Sequence, residues 1–202
     1  MIGIFGGTFN PIHFGHLNLA IELKEKHSLT EVWVVPAQIS PFRQDEPLIS
    51  SHHRMQMVKR AIEGIPGFKL QDFEVKREGP SFTIDTIKYI FKHYPGQYRL
   101  LLGEDSLLGF RDWKNASEIV DLIPLAIGCR RDVQLSLQLT KLGLEKKIES
   151  AIREGLTETT LMEISATMVR ERLKNSLYCG HLIPSKVLDY IYENQLYFHP
   201  QS

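Results

Sequence analysis

A chain of 202 residues that is 43% hydrophobic can bury one substantial core and lies near the upper size for a single compact unit, so one domain spanning 1–202 is expected. Lys plus Arg and Asp plus Glu each number 24, giving a formal net charge of zero; no global field would draw the chain to nucleic acid or an anionic membrane, and a polyanionic ligand must be met by a local site. Cys129 and Cys179 are too few for a disulfide framework or a zinc knuckle, and no signal, transit or membrane-length apolar segment is visible, which reads as a reduced, cytoplasmic protein.

The chain opens on an apolar run, Ile2 to Phe5, that goes straight into Gly6-Gly7-Thr8-Phe9-Asn10-Pro11-Ile12-His13-Phe14-Gly15-His16. This predicts a strand feeding a phosphate-handling loop. Paired glycines let backbone N–H groups approach an anion, Pro11 stiffens the turn, and Gly15-His16 opens a helix whose N-terminus favours negative charge. Further apolar runs rich in branched residues predict strands at Glu31 to Pro36, Phe68 to Phe73, Tyr98 to Leu102, Leu125 to Cys129 and Thr160 to Ile164. Helical periodicity falls between them at Leu17 to Lys26, at His52 to Ile62 with Met55, Val58 and Ile62 on one face, at Ile84 to Tyr94 and at Ser117 to Leu122. Alternation of helices with near-continuous apolar strands predicts a parallel sheet covered on both faces, the Rossmann-like, doubly wound α/β class.

The charged, Leu-spaced stretch from Arg130 to Leu156 reads as one or two surface helices. Beyond it come a helix at Ala166 to Lys174, a loop at Asn175 to Pro184 and a helix at Ser185 to Gln195, the helical segment 166–202 packing on the same domain. No internal repeat or Pro/Gly/Ser linker marks a second one. The loop from Ala37 to Ser51, with Pro41 and Pro47, reads as a mobile lid.

Ligands of open parallel sheets bind outside the carboxyl ends of the strands, where the distinctive motifs of this chain fall. A glycine pair alone fits an ordinary strand-to-helix turn as well as a phosphate site, and the spacing matches neither the dinucleotide-binding nor the P-loop pattern. The His-x-Gly-His ending adds two imidazoles that can donate to phosphate oxygens and stabilise charge growing in a transition state; a metal role for His13 and His16 lacks a third ligand at a recognisable spacing. In Ser165-x-Thr167-x-x-Arg170 a serine caps a helix start and an arginine about one turn on can reach an oxyanion, although a plain N-cap with a solvated arginine has the same pattern.

The glycine–histidine loop and Ile164-Ser165-Ala166-Thr167-Met168-Val169-Arg170 resemble the two signatures of the nucleotidyltransferase superfamily. Gly79-Pro80-Ser81-Phe82-Thr83 and Gly103-Glu104-Asp105-Ser106-Leu107-Leu108, with Trp113 shortly after, narrow the resemblance to the bacterial nicotinate-mononucleotide adenylyltransferases, and it runs along almost the whole chain. That resemblance implies adenylyl transfer from ATP to nicotinate mononucleotide, with Mg²⁺ accompanying ATP, pyrophosphate as the second product and no protein ligand to the metal. It implies that Gly7, Thr8 and Phe9, with His13 and His16, hold the ATP phosphates, and that Ser165, Thr167 and Arg170 meet the β- and γ-phosphates. His13, His16 and Arg170 would be the catalytic side chains. Gly103 and Asp105 would receive the adenosine half, Trp113 would stack on the pyridine ring, Thr83 would lie near its carboxylate, and Arg43 and Arg131 would take the mononucleotide phosphate. Read from the residues alone, Trp113 could instead be a core aromatic, Thr83 an N-cap for the Ile84 helix and Arg131 a solvated surface charge.

Three positions depart from the family pattern: Asn10 stands where aspartate is usual, and Ala37 and Phe42 where asparagine and histidine are frequent. The last two remove polar contacts to the mononucleotide phosphate, which Gln38 or Ser40 would have to replace. Sister adenylyltransferases acting on phosphopantetheine or nicotinamide mononucleotide are the nearest alternatives. A non-catalytic nucleotide-sensing module, or a fragment related to class I tRNA synthetases, would lack either the complete histidine and arginine set or the neutral charge seen here.

Overall fold

The computed structural model describes residues 1–41, 49–107, 109–129, 143–160 and 162–198. Six strands, β1 (Ile2–Gly7), β2 (Glu31–Pro36), β3 (Phe68–Leu70), β4 (Tyr98–Gly103), β5 (Leu125–Cys129) and β6 (Leu156–Glu158), form one sheet in the order β3-β2-β1-β4-β5-β6. Every neighbouring pair is parallel, with registers such as Gly3 opposite Val32 and Leu102 opposite Ile127. The strand order reverses between β1 and β4, so the switch-point crevice lies outside the carboxyl ends of these two strands.

Side chains alternate between two cores. Phe5, Val32, Val34 and Leu101 pack under α1 (Phe14–Lys26), α2 (Ser51–Ile62) and the two C-terminal helices, α6 (Ala166–Lys174) and α7 (Ser185–Glu193). Ile4, Trp33, Val35, Leu100 and Leu102 face the opposite layer, made by α3 (Thr83–His93), α4 (Ala116–Leu122) and α5 (Lys146–Gly155). A sheet buried on both faces needs apolar residues at every strand position, which is why the strands read as continuous runs. No helix among the described residues is long and apolar enough to cross a membrane.

The sixth strand departs from the sequence reading. β6 spans Leu156–Glu158, directly after α5, and pairs Thr157 with Gly128. Thr160 turns instead toward α1, where its N–H donates to the Glu22 carboxylate at 3.0 Å and its carbonyl accepts from Asn18. Backbone groups claimed by α1 side chains are not free to join a ladder. β3 is also shorter than the predicted run, because the Gln71 N–H makes its last bond to the Val34 carbonyl at 2.9 Å and the chain then turns. On α2 the buried face is Arg54, Met57, Val58, Ala61 and Ile62, with Met55 only half-buried. Of the expected lid, residues 42–48 lie outside those described, with Phe42 and Arg43; so do 130–142, with Arg131 and the first half of the expected surface-helix stretch.

Candidate active site

A cleft of about 700 Å³ opens at the β1/β4 switch point. Each motif that reaches it does so from the end of a strand or the start of a helix. β1 delivers Gly7, Thr8 and Phe9; α1 delivers His13 and His16; β4 delivers Gly103 and, one residue into a short 3₁₀ turn, Asp105. Thr83 enters from the first turn of α3, Trp113 from the turn before α4, and Ser165 and Thr167 from the start of α6. Eleven of the residues implicated by motif and resemblance thus share one lining.

The loop after β1 is shaped by close packing. Phe9 is 2% exposed with a φ of +49°, and its ring lies where a Cβ on Gly7 would be, 2.8 Å from the nearest ring carbon, so residue 7 must lack a side chain. The Asn10–Pro11 peptide is cis. A Cβ at Gly15 would likewise meet His13 Nδ1 at 3.1 Å, which lets the His13 ring lie flat over the helix start.

His13 is the N-cap of α1 and its ring stacks on His16 with centroids 3.6 Å apart. The His13 backbone N–H donates to His16 Nδ1 at 3.3 Å, so a neutral His16 carries its proton on Nε2. Phe9 meets the His16 ring edge-on at 5.2 Å. Burial pulls the His13 pKa down to about 4, and its buried Nδ1 has no hydrogen-bond partner. His13 is therefore a neutral imidazole with one nitrogen held in reserve in a cleft wall. The first amide of α1, Phe14 N–H, is engaged by the Leu182 carbonyl at 2.9 Å; the helix start offers an anion its imidazoles and not this N–H.

Ser165 caps α6, its Oγ accepting from Met168 N–H at 3.1 Å. Arg170 is not on the cleft lining: its guanidinium donates to the Asn10 carbonyl at 2.9 Å and to Thr167 Oγ1 at 3.2 Å, tying the glycine–histidine loop to α6. Thr83 is not an N-cap; Phe82 precedes the helix in that place, and Thr83 opens its first turn. Trp113 is half-buried against Phe110 with centroids 5.0 Å apart and presents its remaining surface to the cleft.

Four supports escaped the motif reading. Arg54, 1% exposed, donates to three carbonyls: Thr8 at 2.8 Å, Gln38 at 2.9 Å and Ile49 at 3.1 Å. Tyr197 reaches back to give its hydroxyl proton to Asn10 Oδ1 at 2.8 Å, and burial raises its pKa well above the usual phenol range. Glu74, buried in the cleft wall, accepts from Thr86 Oγ1 at 2.5 Å and is also bonded to the Ser81 hydroxyl; burial raises its pKa above the usual carboxylate range against the lowering by those hydroxyls. Lys114, next to Trp113, stands over the Phe82 ring. The one available signal was Arg54, a charge at an apolar position of the α2 face. Ala37 lines the cleft with Ser40, whereas Gln38 is not on the lining; its backbone N–H donates to Ser81 Oγ at 2.9 Å and its carbonyl accepts from Arg54.

Comparison with known proteins bears on what such a cleft is for. The cytidylyltransferase-like family model matches residues 4–172. A Bacillus subtilis protein named nicotinate-nucleotide adenylyltransferase is 39% identical over 197 residues, 97% of each chain. A Bacillus licheniformis protein named probable nicotinate-nucleotide adenylyltransferase is 36% identical, again over 97% of both. Among solved structures, Plasmodium falciparum nicotinic acid mononucleotide adenylyltransferase complexed with NaAD superposes with a TM-score of 0.74 at 22% identity, covering 97% of this chain and 96% of that one, which establishes a shared fold.

Proposed function

The chain belongs to the cytidylyltransferase-like family, and we propose that it transfers the adenylyl group of ATP to nicotinate mononucleotide, giving nicotinate adenine dinucleotide and pyrophosphate in NAD biosynthesis. The observation that carries this reading is convergence: the glycine–histidine loop from one end of the chain and Ser165 and Thr167 from the other meet across one cleft, with Thr83 and Trp113 beside them. Full-length relatives bearing that activity in their names support the same reading.

In the proposed reaction a phosphate oxygen of the mononucleotide attacks the α-phosphorus of ATP; a new P–O bond forms, the bond to the β-phosphate oxygen breaks, and pyrophosphate leaves. A phosphate monoester dianion is already a nucleophile, so no general base and no covalent enzyme intermediate are required. What the protein supplies is alignment and charge stabilisation. His16, its Nδ1 bonded to the His13 amide, directs an Nε2–H donor toward the phosphates, and neutral His13 supports it by stacking. Backbone groups of Gly7, Thr8 and Phe9 would cradle the triphosphate, and Ser165 and Thr167 would receive the pyrophosphate half, with the guanidinium of Arg170 behind them on Thr167 Oγ1. Gly103 and Asp105 would hold the adenosine, and Trp113 and Thr83 the pyridine ring; Arg43, Arg131 and Ser40 would serve the mononucleotide phosphate.

Among the described residues no cluster of three or more His, Cys, Asp or Glu is arranged to hold a metal. Mg²⁺ accompanying ATP would be held through substrate phosphates, a common mode for a cation that keeps its waters. When bound there it would neutralise charge on the triphosphate. The testing experiment is pyrophosphate release with ATP, Mg²⁺ and a panel of pyridine mononucleotides and phosphopantetheine. Turnover with nicotinate mononucleotide is expected; bound nucleotide with no pyrophosphate from any partner would make the chain a nucleotide sensor instead.

A further inference from the structure

In the adenylyltransferase reading the triphosphate lies between two distant pieces of chain, the histidines at the start of α1 and the Ser165 to Thr167 start of α6. Arg170 ties them from one side, through the Asn10 carbonyl. We propose that Glu22, on the outer face of α1, ties them from the other by holding the backbone of Thr160, and so acts as a positioning residue for ATP; the proposal rests on that reading of the cleft.

The sheet releases the chain just before the cleft. β6 pairs with β5 as far as Glu158, and Thr159 N–H donates to the Cys129 carbonyl at 2.9 Å. At Thr160 the side chains of α1 take over. The two carboxylate oxygens of Glu22 accept the Thr160 N–H at 3.0 and 3.1 Å, while Asn18 Nδ2 donates to the Thr160 carbonyl and, at 3.2 Å, to Glu22 Oε1. Both backbone groups of one residue are thus held, as a neighbouring strand would hold them. Asn18, Glu22 and Lys26 are spaced four apart on one stripe of the helix, and Lys26 extends the grip to the Glu158 carbonyl.

Two residues beyond Thr160 the chain enters the cleft, where Met162, Glu163, Ile164 and Ser165 join His16 and Leu19 of α1 on the lining. The approach is close: a Cβ on Gly15 would lie 3.2 Å from the Met162 carbonyl. α1 is itself seated on the strand ends, since a Cβ on Gly128 would meet Leu19 at 2.1 Å and one on Gly103 at 3.3 Å. One rigid helix therefore carries the histidines at its start and, on its outer face, the anchor of the segment that delivers Ser165. Losing that anchor would let the α6 start drift from the histidines, and small misplacements of aligning groups cost about tenfold or more.

The test titrates α,β-methylene ATP with Mg²⁺ by calorimetry and measures pyrophosphate-release kinetics in the parent, Glu22→Ala, Glu22→Gln, Asn18→Ala and Lys26→Ala. Glu22→Ala should weaken the nucleotide about tenfold and raise KM for ATP to match, with KM for nicotinate mononucleotide within about twofold and Tm within about 4 °C of the parent. Glu22→Gln, whose Oε1 can still accept from Thr160 and Asn18, should restore most of the affinity, and Asn18→Ala should weaken ATP in the same direction as Glu22→Ala. Lys26→Ala, which releases only the strand outside the cleft, should leave both substrates within about twofold. Nucleotide affinity unchanged in Glu22→Ala overturns the proposal, as do equal rises in both KM values that follow a lowered Tm, which would make Glu22 a structural brace. If Glu22→Ala does not fold, Asn18→Ala decides by the same split between substrates. A parent that binds the analogue yet releases no pyrophosphate with any mononucleotide refutes the adenylyltransferase reading while the affinities still judge Glu22; a parent that binds no nucleotide overturns both.

Discussion

Replacing Arg54 by methionine tests whether the phosphate loop is held by the chain's own buried guanidinium. The side chain gives charge-assisted hydrogen bonds to Thr8, Gln38 and Ile49 carbonyls. Each such bond contributes about 1.5–3 kcal/mol, and a carbonyl left buried without a donor costs on the order of 1–3 kcal/mol. Against this, methionine removes a desolvated charge, whose burial costs several kcal/mol and already lowers the arginine's pKa. The net is a loss of about 3 kcal/mol, which in a chain of this size lowers Tm by roughly 6–12 °C. Arg54→Lys, able to reach one carbonyl at a time, should recover under half of the loss. Because Thr8 belongs to the loop that would cradle ATP and Gln38 precedes Ser40, KM should rise for both substrates in the folded fraction at low temperature, more than kcat falls. Differential scanning calorimetry with pyrophosphate-release kinetics reads both quantities. If Arg54→Met melts within about 2 °C of the parent with unchanged KM, the three carbonyls are satisfied by water and the bracing argument is wrong.

His16→Ala should lower kcat by about a hundredfold or more with Tm nearly unchanged, since it removes a donor aimed at developing charge; full activity would end the catalytic assignment. Trp113→Ala should raise KM for the mononucleotide and leave KM for ATP close to its parent value; equal weakening of ATP would make the indole structural. His13 sets a pH signature. Its pKa falls from 6.5 in the unfolded chain to about 4 in the folded one, so between these values the unfolded state binds the extra proton. Stability contributed by neutral His13 is complete above pH 6.5 and is lost as pH falls toward 4, by up to about 3 kcal/mol. Urea unfolding of the parent and His13→Asn at pH 7 and pH 4.5 should show a smaller acid loss in the variant; parallel losses would move the effect to other groups.

The alternation of buried strands and amphipathic helices was legible because each strand is covered on both faces and each main helix has one apolar stripe. The α2 register misled because Arg54 occupies the place of a core residue: a face written Arg54, Met57, Val58, Ala61, Ile62 looks polar at its first member, and Met55 offered an apolar substitute. The sixth strand was displaced because pattern alone cannot see Glu22 and Asn18, on α1, taking the backbone groups of Thr160. The site was readable where chemistry is local in sequence, as in Gly7 to His16, and where a cap is local, as in Ser165. It was not readable where support comes from afar. Nothing near Asn10 announces Tyr197, and nothing near Thr86 announces that Glu74 needs its hydroxyl.

The bond from Tyr197 to Asn10 joins residues 187 apart in the chain. During synthesis the first strand and its loop emerge from the ribosome early, but Asn10 Oδ1 gains its phenolic donor only when residue 197 has also cleared the exit. A nascent chain can therefore stack much of its sheet while its nucleotide loop is still unfinished. The contact that completes this end of the glycine–histidine loop is thus among the last that the chain can make, together with the core packing of α7.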